Sequence, residues 1–188
     1  AAAARKGILI KGGVYLEGGY KLDYLALDKT GTITHGKPVQ TDYLALDPTA
    51  EASAPTIAAA LAGRSDHPVS LAIANAAVDK GLATQAVDNF EALAGRGVRG
   101  EINGQVYHLG NHRLVEELNL CSPALEEKLF ALEKQGKSVV LLLDASGPLA
   151  LFAVADTVKD SSREAIEQLH ELGIKTLMLT GDNVHTAQ

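Results

Sequence analysis

The chain has 188 residues, of which 46% are hydrophobic and 21% are charged, and its formal net charge is -6. These values predict a globular protein with a well-developed core, in one large domain or two small ones. The negative charge and an aromatic content of only 4% argue against nucleic-acid binding, which needs a basic face and stacking side chains. Because Cys121 is the single cysteine, neither an intramolecular disulfide nor a thiolate metal cluster can form within the chain.

The two ends of the sequence bear on how much of a protein is present. No apolar run approaches the roughly 18 residues that a membrane-spanning helix needs, so we expect this part to be soluble. The start, "AAAARKGILIKGG", has neither an initiator Met nor the apolar core of a signal peptide. The end, "TLMLTGDNVHTAQ", stops as a strand, a loop and a new helix begin, so we expect a longer protein.

Four apolar runs predict short buried strands, at residues 22–28, 138–144, 149–156 and 176–182. The second and third flank a turn signal, Ser146-Gly147-Pro148, and are expected to pair. Residues 160–173 predict an amphipathic helix with Ser161 or Ser162 as N-cap and Gly173 just beyond its end. A helix followed by a strand in this way indicates an α/β domain.

The middle of the chain has a different pattern. Ala-rich helical patterns cover residues 51–61 and 68–82, the second with Pro68 in its first turn, and two more helices are predicted at 112–118 and 123–135. Between these pairs the sequence alternates and turns at Asn103-Gly104, which is a strong hairpin signal. These elements predict an α+β insertion and therefore two domains, one of them discontinuous, with the first crossing within residues 47–55.

Asp28 ends the first strand, in "YLALDKTGTITHGKP", and two interpretations are open for it. Its side chain could simply turn the chain by bonding nearby backbone NH groups. Alternatively it is a nucleophile that attacks a phosphoryl group, with NH groups, hydroxyls, a lysine and Mg²⁺ offsetting the developing charge. A second strand ends in Thr180, Gly181 and Asp182, and ligands of parallel sheets bind at such strand ends.

The string from Asp28 to Thr34, "DKTGTIT", resembles the phosphorylation signature of the P-type ATPases, and "TGDN" at 180–183 and "DTVKD" at 156–160 are similar to two further segments of that family. The resemblance implies that Asp28 accepts the γ-phosphoryl group of ATP and that Lys29 lies beside the phosphates. It implies that Thr30 gives its backbone carbonyl to Mg²⁺ and its side chain to the phosphate. Thr180, Gly181 and Asp182 would hold the phosphoryl oxygens.

The residue at position 30 also helps to distinguish a phosphatase from an energy-transducing ATPase. Related phosphatases of the haloacid-dehalogenase type usually carry a second Asp at this position, as general acid and base. Without that base the phosphoenzyme should survive longer, as an energy-transducing cycle requires.

The insertion resembles the nucleotide-binding domain of the heavy-metal-transporting branch, through "SDHPVSLAI", "GRGVRG" and "LGN". The resemblance implies that His67 contacts adenine, that Gly95 and Gly97 let the backbone approach the nucleotide, and that Gly110 and Asn111 close the pocket. Many members carry a Glu where this chain has Ala62, so that another group such as Asp66 is an alternative partner for the nucleotide.

The resemblance as a whole implies a haloacid-dehalogenase-like, Rossmann-like α/β phosphorylation domain at residues 1–41 and 152–188, C-terminally incomplete, with an inserted α+β nucleotide-binding domain at 42–151. It implies the ATP-binding, autophosphorylating cytoplasmic head of a heavy-metal-exporting P-type ATPase, with ATP and Mg²⁺ as cofactors, of the zinc, cadmium and lead group. The metal ion would pass through membrane helices outside this chain, in a bacterial plasma membrane, and the actuator domain of the same protein would be a partner. A further Mg²⁺ carboxylate would lie beyond Gln188, so that phosphorylation of this part alone should be impaired. A soluble phosphatase and a nucleotide-binding module without catalysis are the alternatives.

Overall fold

The computed structural model describes residues 2–5 and 7–179. The helices are α1 (Ala2–Arg5), α2 (Gly13–Gly18), α3 (Ala54–Ala62), α4 (Pro68–Asp79), α5 (His112–Glu117), α6 (Pro123–Glu133) and α7 (Asp160–Glu171). The strands are β1 (Tyr24–Asp28), β2 (Thr34–Ala45), β3 (Asp88–Leu93), β4 (Gly97–Ile102), β5 (Gln105–Gly110), β6 (Ser138–Asp144), β7 (Gly147–Val158) and β8 (Lys175–Leu179). None of the helices in these ranges is both long and apolar enough to span a bilayer.

The larger sheet is antiparallel, with its six strands in the order β2-β7-β6-β5-β4-β3. One hydrophobic cluster lies beneath α3 and α4 and contains Phe152, while a second lies beneath α5 and α6 and contains Leu151. Neighbouring residues of β7 thus enter opposite cores, because side chains alternate along a strand. Burial on both faces explains why the central strands β6 and β7 are almost continuously apolar in sequence.

The predicted elements of this region are confirmed. Strand β6 has the predicted bounds, the β6–β7 hairpin forms, and α4 begins with Pro68. The turn between β4 and β5 has positive φ angles at Asn103 (53°) and Gly104 (81°), as a type I′ hairpin requires.

The smaller sheet is a parallel pair, β1 with β8, and α7 precedes β8 in the chain. The parallel pairing confirms the predicted α/β arrangement, and Gly173 follows α7 with a φ of 80°, as predicted. The predicted N-cap at Ser161 or Ser162 is wrong, because α7 begins at Asp160 with Lys159 in the N-cap position. The backbone NH of Lys159 bonds to the carbonyl of Ile33, and strand β7 runs to Val158, beyond the predicted end at Asp156.

The sequence did not predict strand β2. Together with β7, this strand connects the two sheets. Both strands run through the predicted domain boundaries at 41/42 and 151/152, and their ladder extends from Thr34↔Val158 to Ala45↔Ala150. The ladder has register shifts between Thr34 and Pro38 and between Gln40 and Asp42. The division into two domains stays a prediction, and any hinge between them has to lie in this two-stranded connection.

Candidate functional site

Asp28 is the last residue of β1, and its side chain is exposed. The following residues, Lys29–Ile33, form one wide helical turn that breaks from helical geometry at Thr30 (φ -75°, ψ 119°) and Gly31 (φ 77°, ψ -16°). These are the angles of a type II turn, whose third residue needs a positive φ and therefore glycine. The sequence thus sets the carboxylate at a strand end and turns the chain sharply behind it.

Thr34 anchors this turn from below, and only 3% of it is exposed. Its Oγ1 accepts a hydrogen bond from the Gly31 NH (3.2 Å) and lies 3.0 Å from the Lys29 carbonyl and 2.5 Å from Oδ2 of Asp156. A hydroxyl has one proton to donate, and the shorter contact assigns it to the carboxylate. Asp156 Oδ1 is buried and accepts no hydrogen bond from the described residues.

Lys159 holds the same turn from the side. Its Nζ donates to the carbonyls of Gly31 (2.6 Å) and Thr32 (3.2 Å). Together with Asp156, it comes from the segment "DTVKD" that the sequence singled out without a role for either residue. The structure therefore brings residues 156–159 and 28–34 together, although more than 120 positions separate them.

Gly36 is a residue of this site that the sequence analysis missed. A Cβ placed on it would lie 3.0 Å from the Cα of Gly31, and its φ is 69°. The start of β2 thus runs directly against the turn behind Asp28, at a distance that leaves little room for a side chain on residue 36. The requirement comes from tertiary contact, which a local pattern does not reveal.

Of the predicted phosphate-site residues, the structure places Asp28, Lys29 and Thr30 in one turn. Asp28 pairs with Leu179 at the end of β8, so both strands end at the same level. Thr180, Gly181 and Asp182 lie outside the described residues.

The predicted nucleotide-site residues converge on a second feature, a cavity of about 510 Å³. All five line it, although they come from three separate parts of the chain: His67, Gly95, Gly97, Gly110 and Asn111. The remaining lining residues include Ser65, Asp66, Ser70, Arg96 and Ser138. Asp28 is not among the lining residues, so the turn behind Asp28 and the cavity are distinct features.

His67 is fixed at the start of α4 by its own hydrogen bonds. Its Nδ1 accepts from the Val69 NH (3.3 Å), and its backbone NH donates to the Ser65 hydroxyl (3.2 Å). The first bond makes His67 the side-chain cap of the helix and requires that Nδ1 carry no proton. The ring is nevertheless exposed and stands at the cavity.

Gly97 and Gly110 are paired across β4 and β5. A Cβ on Gly97 would clash with the Leu109 carbonyl and lie 2.6 Å from Gly110 Cα, while one on Gly110 would clash with the Leu114 side chain. The wall of the cavity is therefore bare backbone, packed too closely for any side chain.

Asn111 holds the glycine loop in place. Its side chain donates to the Gly95 carbonyl (3.0 Å) and accepts from the Leu114 NH (3.2 Å), which caps α5, and its own NH donates to the Arg96 carbonyl (2.8 Å). Arg96 in turn forms an ion pair with Glu117 of α5, which raises the pKa of the guanidinium and lowers that of the carboxyl. The loop around Gly95 is thus tied to α5 at both Asn111 and Arg96.

The sequence left open which carboxylate contacts the nucleotide, because Ala62 has none and Asp66 is an alternative, and the structure describes both residues. Ala62 is fully buried in the core beneath α3 and α4 and does not line the cavity. Asp66 does line the cavity, is exposed, and forms no hydrogen bond or ion pair with the described residues.

Comparison with known proteins gives the family of this arrangement. Residues 22–188 match the family described as haloacid dehalogenase-like hydrolase. The chain belongs to this family. As a haloacid dehalogenase-like hydrolase it has the predicted fold class, and its strand-end Asp28 and its parallel β1–β8 pair lie within the matched range.

Similarity to individual proteins shows which members of the family this chain resembles. The chain is 43% identical over 192 residues to a probable cadmium-transporting ATPase of Staphylococcus aureus (strain MRSA252) and 41% identical over 186 residues to a copper-exporting P-type ATPase of Bacillus subtilis (strain 168). Each alignment covers 99% of the chain but only 26% and 23% of the respective relative. A crystal structure of a zinc-transporting PIB-type ATPase in the E2.Pi state superposes with a TM-score of 0.88 and 34% identity, over 99% of this chain and 30% of that one.

This haloacid dehalogenase-like chain is therefore homologous to one part of heavy-metal P-type ATPases, and it spans about a quarter of the length of the relatives it matches. The resemblance inferred from the motifs is confirmed.

Proposed function

We propose that the chain is the ATP-binding, phosphate-accepting head of a P-type ATPase that exports heavy-metal ions. The observation that carries the proposal is the exposed Asp28 carboxylate at the end of β1, on a turn held by Thr34 and Lys159, with Thr30 where a phosphatase would have its base. The homology to cadmium- and copper-transporting ATPases supports it.

In the first step an Asp28 carboxylate oxygen attacks the γ-phosphorus of ATP. The new O–P bond forms as the bond from the γ-phosphorus to the β,γ-bridging oxygen breaks, and ADP leaves with the electron pair. No proton has to be transferred in this step. This fits a site that has Thr30, which is not a base, two residues after the nucleophile. Thr180, Gly181 and Asp182 would hold the phosphoryl oxygens, and Lys29 would lie beside them.

The oxygen donors of the turn fit Mg²⁺, a hard cation that prefers carboxylate and carbonyl ligands. The Asp28 carboxylate and the Thr30 carbonyl would hold it. The Lys159 side chain donates to the carbonyls of Gly31 and Thr32, whereas none of the described side chains donates to that of Thr30. When bound, the ion offsets negative charge on the transferring phosphoryl group.

The cavity would take the nucleotide, with His67 against adenine, Gly95 and Gly97 letting the backbone approach the nucleotide, and Gly110 and Asn111 closing the pocket. Its volume of about 510 Å³ suits a ligand of this size, and the bare backbone at the paired glycines allows close approach. Asp66 is the carboxylate available to hydroxyl or amino groups of the nucleotide, because Ala62 has none.

For the exported ion we propose the zinc, cadmium and lead group. The support is the similarity to a cadmium-transporting ATPase and to a zinc-transporting structure, although a copper exporter is nearly as similar. The ion would cross a bacterial plasma membrane through helices outside this chain, with the head on the cytoplasmic side and an actuator domain acting on the phosphorylated Asp28.

The test is phosphorylation of the full-length protein by ATP labelled in the γ-phosphate. The expected product carries an acid-stable, hydroxylamine-labile label, and Asp28→Asn removes it. Thr30→Asp is the informative second variant, because restoring a carboxylate base should shorten the lifetime of the label. Absence of label in the wild type, together with rapid phosphate release, would favour a soluble phosphatase instead.

A further inference from the structure

Lys159, which directly follows β7, forms hydrogen bonds with adjacent peptide groups of the turn behind Asp28. The Lys159 ammonium lies 2.6 Å from the Gly31 carbonyl and 3.2 Å from the Thr32 carbonyl, and the Lys159 NH donates to the Ile33 carbonyl at 3.0 Å. Three consecutive carbonyl groups are thus held by one residue. The ammonium contacts are charge-assisted, so they are stronger than ordinary backbone hydrogen bonds.

Holding these carbonyls fixes more than the position of the turn. The C=O and the N–H of one peptide group point in opposite directions because the group is planar and trans. When the Gly31 and Thr32 carbonyls face Lys159, the NH groups of Thr32 and Ile33 must face away from it. The orientation of NH groups is what determines whether a loop can stabilise a phosphoryl group.

We propose that Lys159 is a positioning residue for phosphorylation, which orients the peptide groups behind Asp28 by holding the Gly31 and Thr32 carbonyls. It acts through the backbone of the turn and forms no hydrogen bond or ion pair with Asp28 among the described residues. This inference rests on the proposed function, and it assigns a role to the lysine of "DTVKD" that the proposed reaction does not otherwise use.

A merely structural role would give a different pattern of effects. Lys159 is partly exposed, and its contacts lie in the acceptor turn, whereas no part of it lines the nucleotide cavity. Loss of the ammonium should therefore slow phosphoryl transfer at saturating ATP and leave ATP binding unchanged. A general loss of stability would weaken both.

The experiment uses the full-length protein, with phosphoenzyme formation from labelled ATP followed by rapid quench and ATP affinity measured by fluorescent-nucleotide displacement. We expect Lys159→Met to slow phosphorylation by a factor of about 10 to 100, the range for losing hydrogen bonds to a charged donor. ATP affinity should stay within about twofold, which also shows that the variant is folded. Lys159→Arg, which keeps a charged donor able to reach two carbonyls, should recover most of the rate.

Arg163→Met is the matched control, because it removes a positive charge from the first turn of α7 at a residue without a hydrogen bond to the turn among the described contacts. It should phosphorylate at the wild-type rate. The inference is overturned if Lys159→Met keeps the wild-type rate, if its ATP affinity falls as much as its rate, or if Lys159→Arg is as slow as Lys159→Met. A wild type that takes no label overturns the proposed function itself, which is a different result.

Discussion

Gly95 and Gly97 lie in one loop of the cavity, but the absence of a side chain matters for a different reason at each. Gly95 has a φ of 69° and open space around its missing Cβ, so that only backbone strain opposes a substitution. Gly97 has a φ of 143°, and its missing Cβ points at the Leu109 carbonyl and the Gly110 Cα. A Cβ there would have to move the neighbouring strand.

We therefore expect Gly97→Ala to lower the free energy of unfolding by roughly 2–4 kcal/mol, through strain plus displacement of β5. Gly95→Ala, the control in the same loop, should cost only about 1–2 kcal/mol. Urea denaturation measures both, and titration with ATP should show a larger loss of affinity for the Gly97 variant. Equal costs would mean that close packing of β4 on β5 is not what requires the glycine.

His108 gives the chain a stability that depends on pH. It lies in β5 opposite Arg99, and burial, reinforced by the Arg99 charge and partly opposed by Glu91, lowers its pKa from the ordinary value of 6.5. The unfolded chain therefore takes up a proton at a higher pH than the folded chain does. The free energy of unfolding is therefore unaffected by His108 above about pH 6.5, and His108 lowers it as the pH falls below that value.

Replacing His108 by Gln should accordingly flatten the change in unfolding free energy between pH 7.5 and pH 5.5. The difference between the variant and the wild type isolates this residue, because all other residues are the same in both proteins. Parallel curves for the two proteins would show that His108 titrates equally in the folded and unfolded states.

At the level of elements, a strand could be predicted where its own sequence carries an apolar pattern, and was missed where its partner strand specifies it. Strand β6 was predicted with its bounds because both of its faces are buried, and its apolar run is unbroken. Strand β2 was missed because it is an edge strand that contains Gly36 and Pro38 and shifts register twice. Its pairing with β7 is specified by the partner strand.

The same distinction applies to the site. Asp28 and His67 could be found from local motifs, since their neighbours in sequence are also their neighbours in space. The contacts of Thr34 with Asp156 and of Lys159 with Gly31 join segments far apart in the chain, and no periodicity or turn signal encodes them.

The second register shift of β2 is stabilised by an ion pair. Lys137 Nζ lies 2.7 Å from Asp42 Oδ2, and this hydrogen bond, with a further one from Thr41, lowers the pKa of the Asp42 carboxyl. Since the folded-state pKa lies below the ordinary 3.8, the stabilisation is present above that pH and is lost as the pH falls through the folded-state value.

A double-mutant cycle with Asp42→Asn and Lys137→Met should give a coupling energy of about 0.5–1 kcal/mol at pH 7, decreasing at high salt. The pair Arg99–Glu91 is the control, because it is longer (3.5 Å) and more exposed, with 47% and 57% of the side chains accessible against 19% and 39% for Lys137 and Asp42. Its coupling should be close to zero. Equal coupling for the two pairs would contradict a role for partial burial.

Across the whole molecule, burial is divided unequally between the two sheets. Among the described residues, every buried hydrophobic side chain lies between Ala50 and Val154, in the larger sheet and the segments packed against it. The strands β1 and β8 alternate between exposed and half-buried residues, α7 has no buried residue, and a cavity of about 460 Å³ lies between them. The turn behind Asp28 therefore lies in the less buried part of the structure, and the cavity at His67 in the more buried part.

Native-state hydrogen exchange should resolve this difference in the chain of 188 residues. Because few apolar contacts oppose their opening, amides of β1, β8 and α7 should exchange through local openings at least about 2 kcal/mol smaller than the global free energy of unfolding reported by β6 and β7. If the cavity takes the nucleotide as proposed, ATP should raise protection in β4 and β5 by mass action and leave β1 and β8 unchanged, because those two strands do not line it. Uniform protection of both sheets would instead show that the β2–β7 connection makes the chain one cooperative unit, in which case nucleotide binding would stabilise the turn behind Asp28 as well.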